Sequence, residues 1–230
     1  NIFHHASNKY CHDDLFIYLL NVIKDDPVKM ERIFSKKDYF DNTPLNVAVR
    51  KKQPTKIKYI LEESSKLGVL DSFVINNNIN GENILHHAAI HDCNDGTFNY
   101  LVNFLKNDPA KMEKLFLKKD IKGQTPFNWA MRGGQVNNMI SILEESNKLG
   151  IQDQILMNEN EEGENLLHFA ASDICNSDMF TYVLNLFKSE MKKMLSKSDV
   201  RSNTPLNVAI IFGQTNKIKS IFEESDKLGI

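Results

Sequence analysis

The chain has 230 residues, 41% of them hydrophobic and 25% charged, with 28 basic against 30 acidic side chains and a formal net charge of −2. This is the composition of an ordinary water-soluble folded protein, and its near-balance of charge leaves no electrostatic footprint for nucleic acid. No run approaches the roughly 18 apolar residues of a membrane span, and no charged-then-apolar opening marks a signal peptide.

The chain opens at Asn1 rather than Met with NIFHHAS, a short apolar segment carrying His4 and His5. After Cys11, the residues Phe16, Leu19, Leu20 and Ile23 recur at i, i+3, i+4 and i+7 and predict an amphipathic helix. TPLNVA follows at Thr43, where Thr caps a helix whose first position is Pro44. A longer helix is expected through Ile57, Ile60 and Leu61. On its exposed face Glu62 and Lys66 stand i, i+4, and Gly68 stops it on a left-handed residue.

At Asn83 the series begins again. Residues 83–164 match residues 1–82 without gaps at 40 positions, and NILHHAA replaces NIFHHAS. The second helix runs through Phe98, Leu101, Val102 and Leu105. PAKMEKLF makes a third short piece after Asp108, and TPFNWA starts the next helix at Thr125. Met139, Ile142 and Leu143 continue that half, with Glu144–Lys148 and Gly150 behind them and another short piece, QDQILM, after Ile151.

The third copy starts with NLLHFAA at Asn165 and stays in register to Lys188, where it loses three residues. It continues through Phe180, Val183, Leu184 and Phe187, then TPLNVA at Thr204, then Ile218, Ile221 and Phe222, with Glu223–Lys227 and Gly229 at its end. Each 82-residue unit divides again, because ILHHAA and TPFNWA share one shape about 40 residues apart. The array spans 1–230 as units 1–82, 83–164 and 165–230, holds about six helix-turn-helix half-units, and reads as truncated at both ends of a longer array. No half-unit can bury its apolar faces alone, whereas stacked neighbours can, so the fold class is an all-α solenoid.

TPLNVA and ILHHAA resemble the TPLHxAA signature that opens the first helix of ankyrin repeats. Asp41-Asn42-Thr43-Pro44, Gly81-Glu82-Asn83 and Gly123-Gln124-Thr125-Pro126 sit where that family places its turn. The half-units here are longer than the family's usual ~33 residues. Three of them carry Asn-Ile or Asn-Leu in place of Thr-Pro, and a HEAT-like stack is the alternative. The resemblance implies a concave surface lined by turn tips and first helices, and a hydrogen-bonding role for the histidine of the signature. Abundant Asn, Lys and Ile with closely copied repeats also resemble effectors that intracellular bacteria send into host cells.

The repeat allows each slot to be read six times. One holds His4, Asn46, His86, Asn128, His168 and Asn207, alternating two neutral groups that both donate and accept, which suits a hydrogen-bonding position. The next holds His5, Val47, His87, Trp129, Phe169 and Val208, which suits packing or partner contact. Cys11, Cys93 and Cys175 recur at steps of 82. Equivalent slots two layers apart are expected roughly 16–20 Å apart, too far for a disulfide. Gly133-Gly134 reads as a turn, and Lys192, Lys193, Lys197 and Arg201 as a solvated face. No catalytic triad is assignable from these spacings.

The expectation is therefore a non-enzymatic protein–protein interaction scaffold within a larger, effector-like protein. It would be cytoplasmic (in the host cytosol after secretion), with no cofactor, no nucleic acid and no membrane, and with another protein, including a host protein, as partner. The contact candidates are the residues that vary where the frame is fixed: Phe40, Ile79, Ile121, Lys122, Val200 and Arg201 at turns, and Arg50, Lys51, Trp129 and Arg132 on first helices. The competing reading is a metal-dependent or enzymatic module centred on His86, His87, His91 and Cys93, since His87 and His91 stand i, i+4 with Cys93 close behind.

Overall fold

The computed structural model describes residues 1–90, 96–187 and 190–229. Each half-unit begins with a short inner helix: α1 (Ile2–Ala6), α4 (Pro44–Arg50), α7 (Ile84–Ala89), α10 (Pro126–Arg132), α13 (Leu166–Ala171) and α16 (Pro205–Ile211). An outer helix follows and packs on it: α2 (Asp13–Asn21), α5 (Pro54–Lys66), α8 (Thr97–Leu105), α11 (Val136–Lys148), α14 (Ser177–Leu186) and α17 (Thr215–Leu228). The third piece expected from the sequence is also helical in the first five half-units, as α3 (Pro27–Phe34), α6 (Asp71–Val74), α9 (Pro109–Phe116), α12 (Gln152–Leu156) and α15 (Met191–Ser196). Among the described residues the secondary structure is all helical.

The caps alternate. In half-units 1, 3 and 5 the inner helix starts on Asn1, Asn83 or Asn165, whose side-chain oxygen accepts two backbone N–H groups of the first turn. In half-units 2, 4 and 6 it starts on Thr43, Thr125 or Thr204 with Pro in the first turn, as the Thr-Pro pairs predict. Both devices satisfy N–H groups that a helix cannot pair internally. Gly68, Gly150 and Gly229 take left-handed φ of 70°, 70° and 66° after the outer helices, again as expected.

Inner helices pack α1 on α4, α4 on α7, α7 on α10 and α13 on α16. One hydrophobic core runs between the layers, built from Leu45, Ile57 and Ile60 in half-unit 2, Leu85, Phe98 and Leu101 in half-unit 3 and Phe127, Met139 and Ile142 in half-unit 4. Burying each such side chain is worth about 1.5–3 kcal/mol. Two expectations are corrected. The lysines at the ends of the outer helices bind one residue nearer than the i, i+4 rule gives: Lys66–Glu63, Lys148–Glu145 and Lys227–Glu224, at 2.6, 2.6 and 2.5 Å. Glu62 is drawn instead toward the Tyr100 hydroxyl of the next outer helix. Phe222, expected on an apolar face, is 52% exposed.

Candidate functional site

Five fingers project between one half-unit and the next, at 38–42, 78–82, 120–124, 160–164 and 199–203. Each is organised by Asp38, Asn78, Asp120, Asn160 or Asp199. In every finger that side-chain oxygen accepts the backbone N–H groups two and four residues on, at 2.7–3.0 Å. Side chains of this kind nucleate turns in this way. The fourth finger residue is left-handed: Asp41, Gly81, Gly123, Gly163 and Ser202, with φ from 61° to 76°. Gly123 needs its hydrogen for a second reason, since a Cβ there would stand 2.8 Å from the backbone N of Glu161.

A backbone ladder zips the fingers together. Ile79 N–H donates to the Phe40 carbonyl, Ile121 to Asn80, Glu161 to Lys122 and Val200 to Glu162, at 2.9, 2.8, 3.0 and 2.9 Å. The second finger residues therefore form one row: Tyr39, Ile79, Ile121, Glu161 and Val200. The four apolar members are 89%, 60%, 66% and 70% exposed, and Phe40 beside them is 56% exposed.

The signature histidines lie behind this row. The Nε2 of His4, His86 and His168 faces the carbonyl of Asn42, Gln124 and Asn203, the last residue of the following finger, at 2.9, 3.1 and 2.9 Å. A carbonyl only accepts, so Nε2 carries the proton. In the neutral ring of His86, Nδ1 then accepts the Asn83 N–H at 3.1 Å. Burial pushes all three imidazoles below their ordinary value, His86 to about 4. In the alternate half-units Asn46, Asn128 and Asn207 accept from the hydroxyls of Thr43, Thr125 and Thr204 at 2.5, 2.8 and 2.7 Å. The hydrogen-bonding role read from this slot is thus observed in all six half-units.

Both ring nitrogens of His86 are committed to the backbone, which removes it from the metal-ligand set. His87 is buried, with Nε2 3.4 Å from a Glu82 oxygen. His91 and Cys93 lie outside the described residues. Among the described residues, no group of three or more His, Cys, Asp or Glu could hold a metal ion, and no helix is long and apolar enough to cross a membrane. Cys11 and Cys175 are free thiols, and burial pushes that of Cys175 up to about 11.

Two grooves open on the face made by fingers and inner helices. One, of about 390 Å³, is lined by Phe40, Arg50 and Lys51 with His5, Val47 and Asp38. The other, of about 340 Å³, is lined by Ile121, Lys122 and Arg132 together with Glu161, Glu162, Phe169 and Ile174. Six of the ten expected contact residues thus meet in two places. Ile79, Val200 and Arg201 stand on the finger row outside both grooves, and Arg201 pairs with Glu162 at 3.1 Å. Arg132 donates to the Gln124 side chain at 3.0 Å. Trp129 is half-buried: its indole N–H donates to Asp120 at 3.0 Å, and its ring meets His86 and His87 edge-on at 5.6 and 5.7 Å between centroids.

The sequence reading missed three things. The recurrence of Asp or Asn at 38, 78, 120, 160 and 199 signals the fingers, but single such residues also punctuate ordinary loops. The fourth finger is acidic, with Glu161, Glu162 and Glu164 in it and Glu159 just before it, between a finger carrying Lys122 with Lys118 and Lys119 just before it and one carrying Arg201 with Lys197 just before it. Lys197 binds Glu159 at 3.0 Å. Lastly, Lys56 and Lys217 are fully buried. Lys56 donates to the carbonyls of Asn8 and Cys11, both at 2.6 Å, and Lys217 to those of Ser172 and Cys175.

No family model matches the sequence, and no curated protein matches it either. Solved structures do match. One is the Bd0816 predatory endopeptidase from Bdellovibrio bacteriovorus in complex with the immunity protein Bd3460. The similarity covers 96% of this chain and 96% of the matched chain, with a TM-score of 0.66 and 17% identity. Another is EF0377, an ankyrin repeat protein, covering 87% of this chain and 94% of that one, with a TM-score of 0.58 and 18% identity. The fold is an ankyrin-like helical-repeat solenoid.

Proposed function

We propose that the chain is a non-enzymatic protein-interaction scaffold that holds a partner protein against its fingers and inner helices. One observation carries the reading: a backbone ladder presents Tyr39, Ile79, Ile121 and Val200 in a row, each at least 60% exposed. Four large apolar side chains lifted into water by a rigid frame contribute nothing to the core, and rows of this kind mark interaction surfaces. One groove beside the row adds Arg50 and Lys51, and the other mixes Lys122 and Arg132 with Glu161, Glu162 and Glu164, so the partner surface combines apolar side chains with charges of both signs. A folded protein as partner class draws support from the similarity to a chain from an enzyme–immunity protein complex.

The reading extends to a larger, effector-like protein acting in a cytoplasm, including that of a host. Its support is the resemblance of closely copied repeats to such effectors and the free thiols of Cys11 and Cys175, which suit a reducing compartment.

The test compares affinity capture by the wild-type chain with capture by Phe40→Ala/Ile121→Ala/Val200→Ala and by an outer-helix control, Lys58→Ala/Val136→Ala. All five side chains are exposed, so thermal unfolding should be little changed. A partner kept by the control and lost by the finger variant is the expected result. A partner kept by the finger variant and lost by the control would refute the reading.

A further inference from the structure

Among the described residues, three that are not glycine adopt a left-handed backbone: Asp41, Lys52 and Ser202. Asp41 and Ser202 shape fingers, but Lys52 does not. It follows the inner helix α4 as the last of three consecutive cations, Arg50, Lys51 and Lys52, with φ of 55°. The same position after α10 and α16 is Gly134 and Gly213, with φ of 66° and 63°. A Cβ added to either glycine has nothing within 4 Å, so the backbone conformation alone opposes a side chain there. A short polar side chain offsets that cost by bonding locally, which the long stem of a lysine does not do.

The three cations also lack partners. Arg50, Lys51 and Lys52 are exposed, and among the described residues none of them forms an ion pair. Other cations of the same face are held: Arg132, the equivalent of Arg50, donates to Gln124, Arg201 pairs with Glu162, and Lys37 lies 3.8 Å from Asp41. The equivalents of Lys51 and Lys52 in half-units 4 and 6 carry no charge, being Gly133, Gly134, Phe212 and Gly213. The dipole of α4 favours a cation at its C-terminal end, but it does not call for a left-handed lysine beyond that end. Backbone strain of this kind gathers at binding surfaces.

Arg50 and Lys51 line the groove of about 390 Å³ that also holds Phe40 and Val47. We infer that this groove takes an acidic segment of the partner protein, with an apolar side chain against Phe40 and Val47 and flanking carboxylates against Arg50, Lys51 and Lys52. The inference rests on the concave-face reading and adds the partner's charge at this place. A nucleic acid fits less well, because the cations occupy one short loop, Asp38 shares the groove, and the chain as a whole is at −2.

Fluorescence anisotropy on the 230-residue chain tests the inference with three labelled probes: the peptide Glu-Glu-Phe-Leu-Glu-Glu, its Lys-for-Glu counterpart and a single-stranded oligonucleotide. The wild type should bind the acidic peptide in preference to the other two, with an affinity that falls as salt rises. Lys52→Gly should weaken that binding by about two- to five-fold, the worth of one exposed ion pair, and Arg50→Gln/Lys51→Gln/Lys52→Gly by at least about ten-fold. Thermal unfolding gives a second readout. Lys52→Gly should melt at or above the wild-type temperature, because glycine takes a left-handed φ without strain. An acidic peptide that fails to bind, or that binds the wild type and the triple variant equally, overturns the inference. So does preference for the oligonucleotide, or a Lys52→Gly protein that melts lower and binds unchanged, which would make Lys52 a structural residue. The finger variant leaves Arg50, Lys51 and Lys52 in place and is read by capture of a partner, so failure of the concave-face reading is told apart from failure of this one.

Discussion

Protonation of His86 should weaken the fold in mild acid, and the structure sets the size of the effect. Burial holds its folded-state pKa at about 4, against about 6.5 in the unfolded chain. Burial is the chief opposition to the charge. Protonation of Nδ1 also removes the acceptor of the Asn83 N–H, although the Asn83 Oδ1, 2.8 Å from Nδ1, can accept from the added proton. Because the folded value is the lower, the unfolded state takes up the proton first. The contribution is fully present above about pH 6.5, declines as pH falls toward about 4, and levels off below that. At about 1.36 kcal/mol per unit, the loss is about 2 kcal/mol at about pH 5 and about 3 kcal/mol at the plateau.

His86→Asn is the right comparison, because Asn46, Asn128 and Asn207 fill the same slot in the alternate layers. The variant should be less stable at neutral pH, since the Gln124 carbonyl loses its donor, by about 1–3 kcal/mol. Urea unfolding of both proteins at neutral pH and at about pH 5 should show the gap between them narrowing by about 2 kcal/mol, with His4 and His168 common to both. A gap that stays constant, or widens, would refute the assignment of a buried neutral imidazole.

Two further substitutions probe the ties between layers. A methyl group at Gly133 would stand 2.4 Å from the Ile90 carbonyl oxygen, so Gly133→Ala should cost about 1–3 kcal/mol by thermal unfolding, through displacement of α10 from α7. Lys56→Met should cost a similar ~1–3 kcal/mol, because it strands the Asn8 and Cys11 carbonyls, and urea unfolding at neutral pH checks it.

Much of this fold is legible in the sequence because the sequence repeats itself. The Thr-Pro starts, the glycine stops and the role of the histidine slot follow from reading one position six times. Pairwise spacing rules did less well. Glu62 is spaced i, i+4 from Lys66, yet Lys66, Lys148 and Lys227 all pair at i, i+3 instead, the last of them with no following layer beside it, so the choice is local to the outer helix. The burial of Lys56 and Lys217 is not legible in the sequence, because only the stacked structure shows the backbone carbonyls that replace their water. The candidate face was half legible: variable apolar residues at finger tips stand out in a fixed frame, but which of them share a groove depends on how far apart the inner helices stand.

The alternation of caps points to a structural unit of two layers. The side-chain ties to backbone across layers fall chiefly at the same type of junction, from an Asn-His layer to the Thr-Pro layer after it. His4, His86 and His168 reach the next finger there, and so do the reverse ties from Lys56, Asn138 and Lys217 to the loop or helix end behind them. The outer helices pack most closely in the same pairs, α2 with α5, α8 with α11 and α14 with α17. Between pairs the outer side opens, leaving a groove of about 520 Å³ lined from α5 by Ile57 and Tyr59 and from α8 by Thr97 and Tyr100. Backbone ladders between fingers cross both kinds of junction alike, so the finger row stays continuous while the layers behind it separate into pairs. A tandem copy made in steps of one layer would lose the match between His and the following Thr-Pro finger. Copying in steps of two preserves it, and this accounts for a sequence identity that peaks at 82 residues when the structural rise is complete at about half that.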